Sequence, residues 1–128
     1  LNADQALREI IRFTWNHYLT HPEMLTLLAN ENLQQGRHLS GSKGLKELSS
    51  PLLTILSGVL ARGGKQRTFR ANIDATDLYI AMGALGYFYL SNRYTLSAFL
   101  GVELMAPAAL ENWREVIEDV ILKFVQRD

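Results

Sequence analysis

Cysteine is absent from all 128 residues, which excludes disulfides, zinc ribbons and thiol nucleophiles and is compatible with a reducing compartment. An excess of charge of either sign is missing too. Lys plus Arg and Asp plus Glu number 13 each, so the balance offers no phosphate-neutralising surface of the kind that nucleic-acid binding needs. No uncharged apolar run reaches the roughly 20 residues that cross a bilayer, and the longest, Leu78 to Leu90, falls well short. The opening LNADQALREI has acidic groups in an amphipathic pattern in place of the basic start and apolar core of a signal peptide. A cytoplasmic protein with no membrane contact is expected. No Gly-rich phosphate loop, nucleophile elbow or paired-carboxylate constellation occurs, so no catalytic residue, cofactor or enzyme activity is assigned.

What is present is a globular composition, 48% hydrophobic and 20% charged, without low-complexity tracts. A chain of this length fits one domain over residues 1–128 and buries roughly two thirds of the surface its unfolded form exposes. Helical spacing dominates. Leu7, Ile10, Ile11, Thr14 and Tyr18 mark a first helix from Ala3 to Tyr18, opposite Arg8, Glu9 and Arg12. THPE restarts the pattern, because Thr20 and Glu23 have capping-box spacing and Pro22 suits a first turn; this second helix runs to about Gln35. GRHLSGSKG reads as a loop. Ser49 or Ser50 as cap and Pro51 at the first helical position open a third helix through Leu52, Ile55, Leu56, Val59 and Leu60, with Gly63 as its stop. KQRTFRANI is β-tolerant but has no alternating partner, so it reads as an extended connection. Asp74 caps a helix to about Asn92, RYTLSAFLG adds a shorter one ending at Gly101, and MAPAALENWREVIEDVILKFVQRD supplies the last, with the pairs Arg114/Glu118 and Asp119/Lys123 opposite its apolar stripe. The sum is an all-α bundle of about five main helices.

The segment from Asp74 to Asn92 is apolar on all sides. Leu78, Met82, Leu85 and Tyr89 form one stripe, Ile80, Ala84, Tyr87 and Ser91 a second, and Tyr79, Gly83, Gly86 and Leu90 a third. Such a helix is either the centre of a monomeric core or lies between its own core and another chain. Gly83 and Gly86 each cost about 1 kcal/mol relative to Ala in a helix, which points to close approach of another backbone or to space for a ligand. With the wide apolar face of the last helix, this predicts a homodimer through the last two long helices, a four-helix interface about a two-fold axis. Its expected residues are Tyr79, Gly83, Gly86, Leu90, Trp113, Ile117, Val120, Ile121 and Phe124.

The order of motifs resembles the C-terminal ligand-binding and dimerisation region of tetracycline-repressor (TetR) family regulators. The resemblance rests on HYLTHPEMLTLLANENLQQGRHL (His17 to Leu39), RTFRANIDATDLYIAMGALGYFYLSNRYTLSAFLG (Arg67 to Gly101) and ENWREVIEDVILKF (Glu111 to Phe124). It implies a regulatory domain whose dimer answers to a small, mostly apolar effector and meets DNA only through an N-terminal helix-turn-helix, which this sequence lacks. A DNA-free dimerisation or adaptor module with a filled core is the alternative.

An effector pocket is expected between the first helix (Ile11, Thr14, Trp15, Tyr18), the second (Met24, Leu28, Asn32), the third (Ile55, Leu56, Val59) and one face of the apolar helix (Met82, Leu85, Tyr89). The same residues would also pack a closed core. Glu31 falls beside Met24, Leu27 and Leu28, where an unpaired carboxylate is costly, so a bond to Arg70 or a histidine is expected. His17 and His21 have i, i+4 spacing but no third ligand at a defined distance, so no metal is assigned. Arg62, Lys65, Arg67 and Arg70 read as solvated charge near a helix C-terminus.

Overall fold

A computed structural model describes residues 2–40 and 43–128, with the side chains of 43–50 left aside. Six helices occur among these residues: α1 (Ala3–Thr20), α2 (Pro22–Leu33), α3 (Lys43–Lys65), α4 (Ala75–Ser91), α5 (Arg93–Leu100) and α6 (Pro107–Val125). Five are long and α5 is short. No strand forms among the described residues, and the fold is all-α.

Local chemistry sets most of the boundaries. Asn2 and Gln5 close a reciprocal capping box that satisfies the free N–H groups of α1. The Asp74 carboxylate accepts from the Thr76 amide at 2.7 Å and starts α4. Gly101, at φ 64°, takes the left-handed conformation that ends α5. Three expected boundaries are corrected. Thr20 does not cap α2: its hydroxyl donates back to the Asn16 carbonyl at 2.9 Å, and His21 stands at the α2 N-cap without a side-chain capping bond. Pro51 lies inside α3, which begins at Lys43. Leu45 and Leu48 continue the Leu52 spacing upstream, so helical periodicity prevails over the proline signal.

Gly63 does not stop α3 either. The helix runs on to Lys65, and the left-handed residue that closes it is Arg67, at φ 62°. Gly63 instead makes room, since the Phe69 ring occupies the space a Cβ would need there. Phe69 is buried, and its segment meets the end of α6 in one antiparallel bridge, Phe69 with Gln126. The Arg70 amide donates to the Val125 carbonyl at 2.7 Å and Arg127 returns a bond to Thr68 at 2.9 Å, so the connection is extended and pinned to the C-terminus. Arg70 itself is not simply solvated: its Nε donates to the Phe124 carbonyl and its guanidinium stacks on the Phe124 ring.

Helix α4 is the hub, touched by α1, α2, α3, α5 and α6. Leu78, Met82 and Tyr89 are buried as the first stripe requires. Around them gather Leu7, Ile11 and Trp15 of α1, Leu56 and Val59 of α3, and Ile117 and Ile121 of α6 in one apolar cluster. α1 and α6 are also tied by charge. Glu118 is almost fully buried, yet its carboxylate accepts from Arg8 at 3.3 Å, Arg12 at 3.2 Å and Arg114 one turn earlier on α6. The i, i+4 pair of Arg114 and Glu118 is thus one part of a four-residue cluster.

Candidate functional site

Three features of the surface and core carry functional potential: a crevice in the core, a cleft at one end of α4, and an apolar face that no other helix covers. The core crevice lies where the effector pocket is expected. Ile11, Thr14, Trp15, Tyr18 and Met82 meet there, joined by Gly86 and Ile117, but the space admits about one water molecule. The remaining expected pocket residues are not gathered with them. Leu56 and Val59 are packed into the core, and Met24, Leu28 and Leu85 are half-buried outside the crevice. Asn32 is exposed, because Leu25 and Glu31 take the inward side of α2. Ile55 is also exposed, lying about 100° round α3 from the inward Leu56.

The Glu31 carboxylate bonds within its own turn, accepting from the His38 amide at 3.0 Å and the Leu39 amide at 3.2 Å. The partner is the histidine's backbone, and Arg70 is engaged elsewhere. His17 and His21 stack with ring centroids 4.2 Å apart, and the His21 Nδ1 lies 2.9 Å from the His17 carbonyl. No group of three metal-binding side chains occurs among the described residues.

The second concavity is larger, about 350 Å³. Phe88 and Tyr89 form its α4 side, Leu96 and Leu100 its α5 side, Val102 and Leu104 its outer turn, and Ala109, Asn112 and Trp113 its α6 side. Two rings make the floor: Tyr89 stacks on Trp113 at 5.2 Å and 17°, and meets Trp15 edge-on behind. Their polar atoms are already engaged. Tyr89 donates its hydroxyl to the Leu104 carbonyl at 2.6 Å, and Trp113 donates its indole N–H to the Leu85 carbonyl at 2.9 Å. Burial first, then the nearby Glu103, pushes the Tyr89 phenol above its ordinary pKa. Of these wall residues only Tyr89 and Trp113 are among the expected site residues. Leu96, Leu100, Val102 and Leu104 were legible only as the apolar side of a short helix and its turn, and Phe88, Ala109 and Asn112 carried no signal of a cleft.

The uncovered face differs from the one expected at an interface. Gly86, Leu90, Ile117 and Ile121 are buried within this chain. Gly86 faces Trp15 and Ile117 at ordinary van der Waals distance, which places the C-terminal half of the third stripe of α4 against α1 and α6. Uncovered instead are Ile80 and Phe88, 60% and 55% exposed, with Ala84 between them, on the second stripe or beside it. Tyr79 and Gly83 lie at its margin, where Tyr18 meets Tyr87. On the adjacent α6, Val120 and Phe124 remain 43% and 37% exposed, and Trp113 and Val116 are half-buried at compatible spacing.

An all-α domain with one apolar side left uncovered is the class this arrangement describes, and sequence comparison specifies its family. Residues 4–121 match the family described as "Tetracyclin repressor-like, C-terminal domain", and the chain belongs to that family. It is similar to the HTH-type transcriptional repressor NicS of Pseudomonas putida, with 41% identity over 126 residues. That match covers 98% of this chain and 59% of the repressor, so the chain spans little more than half the length of its relative.

Proposed function

We propose that this chain is the effector-sensing and dimerising part of a TetR-like transcriptional repressor. Residues 1–128 act as one regulatory domain, in the cytoplasm, as a homodimer that reaches DNA only through a helix-turn-helix beyond this sequence. The observation that carries the reading is the 41% identity to a named repressor along nearly the whole chain. No catalytic step is part of it.

Two physical features support the mechanism. Ile80, Ala84 and Phe88 of α4, with Val116, Val120 and Phe124 of α6, supply the apolar surface that a two-fold four-helix contact needs. The crevice of Ile11, Thr14, Trp15, Tyr18 and Met82 lies behind that surface, so a small apolar effector that widened it would have to move α1 or α6 relative to α4. A coupling of about 1 to 3 kcal/mol is the usual scale for such control.

The tightness of the same crevice favours one alternative, an adaptor module with a filled core. Sedimentation velocity at low micromolar concentration tests dimerisation, and the expected species has twice the 14.5 kDa subunit mass. Ile80→Glu with Val120→Glu should give a monomer of unchanged helicity. A monomeric wild type rejects the dimer. Thermal shift with a panel of uncharged apolar compounds tests sensing, since ligands of the folded state raise stability with concentration. A dimer with no response to any compound favours the adaptor.

A further inference from the structure

The core crevice is not the largest concavity. The cleft between α4, α5 and the start of α6 is about 350 Å³, within the roughly 300 to 1,000 Å³ range of small-molecule sites. Its floor is the stacked pair Tyr89 and Trp113, and both rings have spent their polar hydrogens on backbone carbonyls. What they present to the cleft is therefore aromatic surface. No Lys, Arg, His, Asp or Glu lines it, so a charged ligand would lose its hydration without gaining an opposite charge. Glu103, on the turn beside the cleft, disfavours an anion further. One polar group is available: among the described residues the Asn112 amide has no hydrogen-bond partner, and it stands on the wall.

We propose that this cleft is a second small-molecule site, separate from the core crevice, which takes an uncharged aromatic ligand of two or three rings bearing one hydrogen-bonding group. The ring system lies against Tyr89 and Trp113 and its polar group meets Asn112. The assignment is independent of whether the chain controls DNA binding. Phe88 belongs to both the cleft and the uncovered face, so an insertion from a second copy of the chain is the competing occupant.

The probe is N-phenyl-1-naphthylamine, which is neutral, aromatic and carries one N–H. Its fluorescence should rise saturably, to one equivalent per subunit. Ala109→Phe, which projects a ring into the space, should weaken binding by at least about tenfold. Asn112→Ala, at an exposed position that does not endanger folding, should weaken it by about two- to fivefold, the scale of one neutral hydrogen bond. The two tryptophans report separately, Trp113 from the cleft and Trp15 from the core crevice. In ¹⁵N-labelled protein the Trp113 indole resonance should move more than that of Trp15. Absence of saturable binding overturns the proposal, as does a larger response at Trp15. So does exclusion of the probe from a wild-type dimer combined with its admission by the Ile80→Glu, Val120→Glu monomer.

Discussion

Glu118 illustrates how much one buried group can hold. Its carboxylate has three arginine partners, of which Arg8 and Arg12 come from α1 and keep about half their side-chain surface in water, while Arg114 is more enclosed. Removing the charge leaves these cations able to reach solvent, so the cost should fall below the roughly 3 to 5 kcal/mol of a fully buried broken pair. Glu118→Gln is expected to lose about 1 to 3 kcal/mol in urea denaturation, and Arg8→Ala less than about 1 kcal/mol. Equal losses would contradict a cluster centred on the carboxylate. Two phenols give a second test. Tyr18 is raised above its ordinary pKa by burial and then by Tyr79 and Tyr87, and Tyr89 by burial and then by Glu103. Each keeps its proton in the folded chain at a pH where the unfolded chain has lost it. Stability is therefore intact below a pH of about 10 and declines as pH rises beyond it. Tyr18→Phe and Tyr89→Phe should both flatten that decline. At neutral pH only Tyr89→Phe should cost about 1 kcal/mol, for the lost bond to the Leu104 carbonyl.

At the scale of elements, three glycines that look alike in sequence have different roles. A Cβ at Gly63 would strike the Phe69 ring, one at Gly86 would make ordinary contacts, and one at Gly83 would meet nothing within 4 Å. Gly63→Ala should therefore destabilise by about 1 to 3 kcal/mol. Gly83→Ala should stabilise by about 0.5 to 1 kcal/mol, by removing a flexible residue from the middle of α4. Thermal melts of the two variants check the contrast, and a fall for Gly83→Ala would place a second chain or a ligand at that point. The same elements show what the sequence reveals locally. The starts of α1 and α4 and the end of α5 were legible because a cap or a left-handed glycine is a local signal. The ends of α3 were not. Periodicity carried the helix through Pro51, and an arginine took the left-handed position where glycine is usual.

For the whole molecule, the question is how much apolar surface one subunit leaves in water. Ile80, Phe88, Val120 and Phe124 lie on two helices packed side by side, and Phe99, Leu100 and Val102 add exposed apolar surface around α5. Exposed apolar residues mark an interaction site where they join into a large patch. If a second copy covers them, folding and association are linked, and the melting temperature should rise with protein concentration. A melting temperature that stays constant over a hundredfold range of concentration would count against the proposed homodimer.

The sequence by itself determined the all-α class, the order of the helices, the buried stripe of α4 and the family to which the chain belongs. Helical spacing, caps and ordered motifs are properties of neighbouring residues, and they survive without knowledge of the tertiary fold. Tertiary structure decided which of α4's three apolar stripes stayed uncovered. The second and third are both mixed in hydropathy, so only the placement of α1 and α6 could bury Gly86 and Leu90 and leave Ile80 and Phe88 in solvent. It also decided that the expected effector residues of α1 close on a crevice of one water, while a wider cleft opens beside α5. Concavity arises between elements distant in sequence, and no local pattern encodes it.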